Sequence, residues 1–256
     1  MLEETRLHRI CALLSTLNRV STEQVVQHLG VSRETVRRDV LKLEAMGALR
    51  RVHGGIASIA QEAEPPLSVR NTVRAKEKRD IARAAVQQLI PGQTLFIDAG
   101  STTTLLADEL LSMPGMIIIT NSLNVALKLS GGEMPLKHEV ILLGGHMGPS
   151  LQATSGDRTI SEIHHYRADV ALLSPVGVTA RDGASSFAHH EAAIASAMVR
   201  CAKTRIILAD HSKIGVTSRV IYAQIPEIDL IITDPAGAEL AEWQYLQKSG
   251  PQTLIA

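Results

Sequence analysis

Residues 31–40, VSRETVRRDV, contain the clearest structural pattern in the chain. Val36 and Val40 lie one helical turn apart and Leu43 continues their apolar stripe, whereas arginine, threonine and acidic residues occupy most of the positions between them. Ser32 is a favourable N-cap, because its hydroxyl can accept a hydrogen bond from an amide of the first helical turn. The stretch therefore predicts an amphipathic helix with a cationic outer face.

Two more helices are predicted before this one. Residues 21–24, STEQ, have the form of a capping box and open a helix that extends through Leu29. Gly30 then permits a tight turn into the third helix, which is predicted to end near Gly47. The first helix is predicted from an apolar stripe at helical spacing, formed by Leu7, Ile10, Leu14 and Leu17.

A short basic hairpin is predicted after the third helix. Residues 49–52, LRRV, have strand character, and His53-Gly54-Gly55 forms the predicted turn of a wing. Arginine binds guanine edges or phosphates, so a cationic helix and a basic wing suit the major groove and backbone of DNA. The predicted DNA contacts are Ser32, Arg33, Thr35, Arg37, Arg38, Lys42, Arg50, Arg51 and His53. The alternative, a merely solvated arginine face, is disfavoured because helix-turn-helix spacing, a glycine turn and a basic wing occur together.

The charge distribution supports the same interpretation. The 256 residues carry no net formal charge, but residues 1–57 contain nine Lys and Arg against six Asp and Glu. The remainder contains 17 basic and 20 acidic residues. A small basic segment attached to a mildly acidic body is expected for a DNA-binding module joined to a second domain.

The composition indicates a globular protein with an aliphatic core, since hydrophobic residues make up 45% and aromatic residues 2%. Two cysteines, Cys11 and Cys201, are too few for a disulfide framework or a zinc ribbon. The charged beginning lacks the apolar core of a signal peptide, and no apolar run approaches the ~18 residues of a membrane span. We therefore expect a cytoplasmic protein without membrane contact.

The chain beyond residue 57 changes character twice. Residues 58–75 contain Pro65-Pro66 among polar residues and are predicted to be a linker after a winged helix-turn-helix at 1–57. The charged run at 74–80 opens a helix and is expected to form a solvated face. Residues 76–256 then alternate between apolar strands and helices, which predicts an open, mostly parallel α/β domain. The predicted strands are residues 95–98, 116–120, 140–143, 169–173, 205–209 and 230–233.

A polar turn, DAGSTTT at 98–104, follows the first of these strands and precedes a helix. Gly100 lets a ligand approach the backbone, and hydroxyls and amides at a helix N-terminus form an anion site. Open α/β sheets bind ligands at the carboxyl ends of strands, where further polar turns occur. The predicted effector-binding residues are Asp98, Gly100, Ser101, Thr102, Thr103, Asn121, Ser122, Gly144, Gly145, Glu191, Asp210 and Lys213.

Metal binding is considered at two histidine pairs, His164-His165 and His189-His190. Adjacent histidines on a strand point to opposite faces, and no second ligand pair has suitable spacing. We predict neither a metal site nor a cofactor.

The stretch from Arg6 to Gly55, with VSRETVRRD at 31–39 and RVHGG at 51–55, resembles the deoxyribose-repressor (DeoR) family of bacterial regulators. The polar turns between residues 91 and 234 are similar to the sensor domain of that family, whose fold resembles ribose-5-phosphate isomerase. The resemblance implies a repressor of a carbohydrate-metabolism operon. It also implies double-stranded operator DNA and a phosphorylated sugar as partners, and a homodimer or homotetramer.

An alternative is a sugar-phosphate isomerase tethered to nucleic acid. The isomerases carry acids and a lysine where this chain has SPVG at 174–177 and GASS at 183–186, so no enzymatic activity is expected. A third possibility, an RNA-binding regulator, is disfavoured by the scarcity of aromatic residues for base stacking. The chain also departs from the regulators, with Pro175 in place of a small residue and Ala195 in place of a frequent lysine, which leaves the effector open.

Overall fold

The computed structural model describes residues 3–17, 19–46, 48–52, 54–58, 67–131, 137–148 and 152–256. The chain divides into two compact units, an N-terminal unit, Met1–Val69, and a C-terminal unit, Arg70–Ala256. His53 lies outside the described residues, as do residues 59–66 of the predicted linker. No helix in the described ranges is both long enough and apolar enough to cross a membrane.

The N-terminal unit contains three helices and a small antiparallel sheet. In chain order its elements are α1 (Glu3–Leu17), β1 (Arg19–Ser21), α2 (Thr22–Leu29), α3 (Arg33–Ala45), β2 (Leu49–Val52) and β3 (Gly55–Ser58). The predicted hairpin is confirmed as β2 and β3, and β3 lies in the middle of the sheet order β1-β3-β2. β1 was missed because three residues give too short a pattern to recognise.

The local sequence explains how α2 begins. The hydroxyl of Ser21 accepts a hydrogen bond from the Gln24 amide at 3.1 Å, and the Gln24 side chain accepts one from the Ser21 amide at 2.9 Å. The predicted capping box is therefore confirmed. Gly30 ends α2 at a φ of 64°, in the left-handed region that favours glycine.

An aliphatic core holds the N-terminal unit together. Its buried members are Ile10, Leu14, Val20, Val25, Leu29, Val36, Val40, Leu43, Leu49 and Ile56. A buried ion pair adds to it, because Asp39 is only 4% exposed and both of its oxygens bind the guanidinium of Arg6, at 2.6 and 3.1 Å. This two-bond geometry fixes the orientation of α3 against α1.

The C-terminal unit is built on strands that alternate with helices. Its strands are β4 (Thr94–Ile97), β5 (Ile117–Thr120), β6 (Glu139–Leu142), β7 (His146–Gly148), β8 (Ala153–Ser155), β9 (Ala168–Leu173), β10 (Gly177–Thr179), β11 (Gly183–Ser186), β12 (Ala202–Leu208), β13 (Val220–Ala223), β14 (Leu230–Thr233) and β15 (Gln252–Ile255). The α-helix α4 (Leu67–Arg70) lies at the boundary between the two units in the sequence. The helices that follow it are α5 (Ala75–Val86), α6 (Ser101–Leu110), α7 (Leu123–Leu129), α8 (Asp157–Ile163), α9 (His189–Arg200), α10 (Pro235–Ala238) and α11 (Ala241–Lys248).

The central sheet has seven strands in the order β15-β14-β12-β9-β4-β5-β6, and every neighbouring pair in it is parallel. The predicted open parallel sheet is confirmed. From β4 the chain moves outward to β5 and β6, then returns to β9 on the other side and moves outward again to β15. The direction reverses between β4 and β9, and open α/β sheets bind ligands beyond the carboxyl ends of the strands at such a reversal.

Alternate residues of each strand enter two separate cores. Leu95 and Ile97 pack in the core that contains Leu106 of α6. Phe96, which lies between them, packs in the core that contains Met198 of α9 and Trp243 of α11. Burial on both faces explains why these strands are continuously apolar in sequence.

Two small antiparallel sheets and the edge strand β15 were not predicted. β10, β11 and β13 form one sheet, and β7 pairs with β8. Their sequences, such as GVT, GASS and HMG, are short and rich in small or polar residues. They lack the apolar alternation by which strands are recognised, so tertiary pairing decides their structure.

Candidate functional site

The outer face of α3 is cationic and exposed, because Val36, Asp39, Val40 and Leu43 occupy its inner face. At its start, the Ser32 hydroxyl accepts a hydrogen bond from the Thr35 amide at 3.2 Å and lies 2.9 Å from the Thr35 hydroxyl. The remaining predicted contacts on this helix, Arg33, Arg37, Arg38 and Lys42, are exposed. The predicted division of α3 into an apolar and a basic face is therefore confirmed.

The basic side chains of α3 and the wing make surface ion pairs. Arg33 lies 2.9 Å from Glu23, Arg37 lies 3.8 Å from Glu34, and Lys42 pairs with Glu3. On the wing, the Nε of Arg51 lies 2.5 Å from Glu44. Exposed pairs of this kind are worth only about 0–1 kcal/mol, so a phosphate can replace the carboxylate at little cost.

A groove of about 600 Å³ separates α3 from the wing. Its lining combines apolar residues and Glu34 with three arginines, Arg33 and Arg37 on α3 and Arg51 on β2. Gly55 sits at its base, where a Cβ atom would meet the Val20 carbonyl at 2.1 Å. Arg50 is exposed on the same strand as Arg51. The N-terminal unit thus presents a groove between a helix and a hairpin, with arginines on both of its sides.

The second candidate site lies where the strand order of the central sheet reverses. Asp98 follows β4 and Ser174 follows β9, and the Ser174 amide donates a hydrogen bond to Oδ2 of Asp98 at 2.9 Å. Gly100 lies against the same residue, since a Cβ atom on it would meet Cβ of Ser174 at 3.0 Å. Burial raises the pKa of Asp98 to about 7, although the Ser174 hydrogen bond opposes the shift. We call the space between these strand ends the crevice.

The N-terminus of α6 follows Asp98 and Gly100 at the crevice. No side chain caps this helix. The hydroxyls of Thr103 and Thr104 donate back to the Gly100 carbonyl, at 3.2 and 2.6 Å. Within the described part of the chain, the hydroxyls of Ser101 and Thr102 make no hydrogen bond, although both residues are buried. Two hydroxyls and the first-turn amides therefore lie without a hydrogen-bond partner in this part of the chain, at the positive end of the helix dipole.

Asn121 lies beside Asp98, because the register of β5 pairs Thr120 with Ile97. Its Nδ2 donates to the Thr154 carbonyl at 3.0 Å, whereas its buried Oδ1 has no hydrogen-bond partner in the described ranges. Ser122 caps α7 by accepting from the Val125 amide at 3.3 Å. Of the two predicted side chains on this turn, Asn121 has an unused oxygen and Ser122 is engaged in the fold.

The predicted glycine pair follows β6. The Gly144 amide donates to Glu162 at 2.7 Å, and its carbonyl accepts from the Thr159 hydroxyl at 2.7 Å. A Cβ atom on Gly145 would lie 2.0 Å from that hydroxyl, and the φ of Gly145 is 146°. Close packing against α8 thus accounts for both glycines without a ligand.

Asp210, at the end of β12, is at the centre of a charge cluster. It is 1% exposed, and its Oδ1 accepts from the Ser212 amide and hydroxyl and lies 3.0 Å from Nε of Arg74. Lys78 is 4% exposed and donates to the Arg70 and Val73 carbonyls at 2.6 and 2.9 Å. The expectation of a solvated face at 74–80 is wrong for Lys78, because the first turn of α5 packs onto this cluster.

The pKa values in the charge cluster follow from its burial. Burial raises the pKa of Asp210, but the Ser212 hydrogen bonds and the charges of Arg74 and Lys78 outweigh it and leave the pKa below its ordinary value. Burial lowers the pKa of Lys78 to about 8, and the charge of Lys213 acts in the same direction, whereas Asp210 opposes both. Lys213 is half-buried on the 3-10 turn His211–Lys213.

Glu191, the last predicted effector residue, lies in the first turn of α9. It accepts a hydrogen bond from the Ser186 hydroxyl at 3.1 Å, and its charge raises the pKa of Asp98. It therefore lies within electrostatic reach of the crevice. The searched residues, which exclude those outside the described ranges, contain no group of three or more His, Cys, Asp or Glu side chains that could hold a metal.

Comparison with known proteins bears on both units. The family model for the DeoR C terminal sensor domain matches residues 73–235, and the model for the DeoR-like helix-turn-helix domain matches residues 6–62. The chain belongs to the DeoR family of transcriptional regulators. Its helix-turn-helix domain is a DNA-binding module, and its C-terminal unit is the sensor domain of the family.

Two named relatives of this DeoR-family chain match it over most of their length. The HTH-type transcriptional repressor GlcR of Bacillus subtilis is 37% identical over 100% of this chain and 97% of its own. The Glycerol-3-phosphate regulon repressor of Escherichia coli is 32% identical over 91% of this chain and 92% of its own. Among solved structures, ribose 5-phosphate isomerase A of Methanocaldococcus jannaschii covers 53% of this chain and 52% of its own, at 17% identity and a TM-score of 0.37. A likeness at that level supports no statement about function.

Three groups in the sensor domain of this DeoR-family chain could not be predicted from the sequence. Ser174 contributes a backbone amide, which leaves no trace in the residue type. Lys78 looked like one member of a solvated charge run, and Tyr222 lies on the unpredicted strand β13. The two departures from the family pattern, Pro175 and Ala195, are both buried.

Proposed function

We propose that this DeoR-family regulator represses a carbohydrate-metabolism operon and that a phosphorylated sugar or sugar derivative in the crevice controls its binding to the operator. The observation that carries the proposal is the anion-binding end of α6, where the hydroxyls of Ser101 and Thr102 and the uncapped amides lie at the reversal of strand order. A regulon named for glycerol 3-phosphate in a 32% identical relative supports a phosphorylated effector.

The DNA-binding part of the proposal assigns the groove between α3 and the wing to the operator. Arg33 and Arg37 line this groove from α3 and Arg51 lines it from the wing. Arg38, on the same exposed face, is placed to bind a base edge or phosphate. Ser32 and Thr35 set the start of α3, and Arg50, Lys42 and His53 complete the predicted contacts with the DNA backbone.

We further infer that the protein acts as a homodimer or homotetramer in the cytoplasm, because helix-turn-helix regulators commonly bind two half-sites with two copies of the helix. The effector is a regulatory ligand rather than a cofactor. Catalysis is not part of the proposal, since residues 174–177 and 183–186 supply neither an acid nor a lysine beside the crevice.

Removing two arginines tests the DNA-binding part. The Arg37→Ala/Arg38→Ala variant is expected to lose about 1–3 kcal/mol of operator binding for each arginine that contacts a base, or roughly 5- to 150-fold for one such contact. The measurement is fluorescence anisotropy at fixed salt with an operator selected by the wild type from a random duplex pool. Arg200→Ala/Lys248→Ala removes the same charge from exposed helix ends of the C-terminal unit and serves as the control. Equal operator affinity in both double variants would remove α3 from the interface.

A further inference from the structure

Tyr222 is buried on β13, whose neighbour β11 is joined to the segment after Ser174, because the Val176 amide donates to the Ser185 carbonyl at 2.9 Å. Tyr222 is 5% exposed, and within the described part of the chain its phenolic oxygen has no hydrogen-bond partner. An unpaired polar atom in such a position costs about 1–3 kcal/mol of stability. A phenolic hydroxyl buried there therefore points to a partner that the described part of the fold does not supply.

The backbone of β13 aims this side chain inward. Ala184 of β11 pairs with Ala223, whereas Ser185 pairs with Ile221, so the register shifts at Tyr222 and leaves it without a partner across the sheet. The shift buries Tyr222 and Ala223 in succession and leaves Ile221 exposed, where a regular strand would alternate. A bulge of this type redirects a side chain next to functional sites.

The phenol of Tyr222 lies within electrostatic reach of Asp98. Burial raises the pKa of Tyr222 well above its ordinary range, and the charge of Asp98 adds to the shift. Two more buried atoms have no hydrogen-bond partner in the described ranges. They are Oδ1 of Asp98 and Oδ1 of Asn121, at the neighbouring strand end. Asp98 and Asn121 follow the neighbouring strands β4 and β5, and Asp98 lies within electrostatic reach of Tyr222. Three buried polar atoms without a partner in the described ranges therefore belong to the same part of the unit.

We propose that Tyr222, Asp98 and Asn121 form a subsite for the hydroxyl groups of the ligand, while Ser101 and Thr102 bind its phosphate. A carboxyl oxygen and an amide oxygen accept hydrogen bonds from sugar hydroxyls, and a phenol donates to one. The ligand class is then a phosphorylated polyol or sugar with hydroxyls close to the phosphate, not a bare phosphate. This inference rests on the proposed function, because it needs a ligand in the crevice.

The test compares Tyr222→Phe, which removes one oxygen and keeps the ring, with Tyr245→Phe, in which the altered tyrosine is 62% exposed on α11. Dissociation constants are measured by calorimetry on the full chain with inorganic phosphate, glycerol 3-phosphate, ribose 5-phosphate and glucose 6-phosphate. Tyr222→Phe is expected to raise the dissociation constant of the best-bound phosphorylated compound about tenfold, in line with the loss of one ligand hydrogen bond. The dissociation constant of inorganic phosphate is expected to change less than about twofold. Tyr245→Phe is expected to leave all four constants unchanged.

The outcomes separate this inference from the proposed function. If the wild type binds a phosphorylated sugar or polyol and Tyr222→Phe binds it within about twofold, the subsite is wrong and the proposed function stands. If the wild type binds none of the three better than inorganic phosphate, both are overturned. The melting midpoint of ligand-free Tyr222→Phe should equal or exceed that of the wild type. A fall of more than about 4 °C would assign the hydroxyl to the fold and overturn the subsite.

Discussion

Replacing Asp210 by alanine is expected to lower the free energy of unfolding of the C-terminal unit by about 3 kcal/mol. The substitution removes the carboxylate that balances Arg74 and Lys78, and removing one member of a buried charge cluster typically costs about 3–5 kcal/mol. The lower end of that range applies because the Arg74 side chain is 35% exposed and can recover part of its hydration. Urea unfolding of the full chain, followed by the fluorescence of the single, buried Trp243, measures the change.

A second ion pair in the same unit supplies the control for Asp210. Asp108 pairs with Lys128, and their side chains are 40% and 34% exposed. Asp108→Ala should therefore cost less than about 1 kcal/mol. If Asp210→Ala destabilised the unit no more than Asp108→Ala does, Asp210 would not hold the first turn of α5.

Replacing Asp98 by asparagine is expected to stabilise the ligand-free protein, and more so at high pH. The pKa of Asp98 is about 7 in the folded chain and near 4 when unfolded. Between these values the folded state keeps a proton that the unfolded state releases, so the stability of the wild type falls as pH rises from 4 to 7. Relative to Asp98→Asn, the free energy of unfolding of the wild type is lower by roughly 2 kcal/mol at pH 5 and by about 4 kcal/mol at pH 8. The difference grows by about 1.4 kcal/mol per pH unit between the two pKa values.

Urea unfolding at pH 5 and pH 8 tests this prediction for Asp98. The advantage of Asp98→Asn over the wild type should widen by about 2–3 kcal/mol between the two pH values. Asp182→Asn is the control, because the hydrogen bond from Arg181 lowers the pKa of Asp182. The carboxyl of Asp182 is therefore ionised in both the folded and the unfolded chain over this range. A constant difference between Asp98→Asn and the wild type would show that the carboxyl is not held in its neutral form by burial.

Local patterns allowed the N-terminal unit to be predicted almost completely. Its helices depend on contacts between residues that are close in sequence, and such patterns can be recognised directly. Examples are the caps at Ser21 and Ser32 and the apolar stripe of Val36 and Val40. β1 was not predicted, because its pairing with β3 joins Arg19 to Ala57, residues that are distant in sequence.

The crevice could be predicted only in part. The turn at 98–104 was recognised from its residue types, but the strand order that brings Asp98 to Ser174 is non-local. The same limit applies to Tyr222, since its orientation follows from a register shift between two short strands that have no clear hydrophobic pattern. Likewise, the burial of Lys78 depends on tertiary packing around Asp210, which a charge run cannot reveal.

We propose that an anion bound at the N-terminus of α6 controls the affinity of α3 for DNA. The most direct measurement is the dissociation constant for the selected operator, with and without saturating glycerol 3-phosphate, ribose 5-phosphate or glucose 6-phosphate. It is made on the wild type and on Ser101→Ala/Thr102→Val. One of these compounds should change the wild-type constant about 5- to 150-fold, the usual range of allosteric coupling. The double variant should bind the operator as the wild type does and no longer respond. An unchanged response in the double variant, or no response of the wild type to any of the three, would contradict the claim.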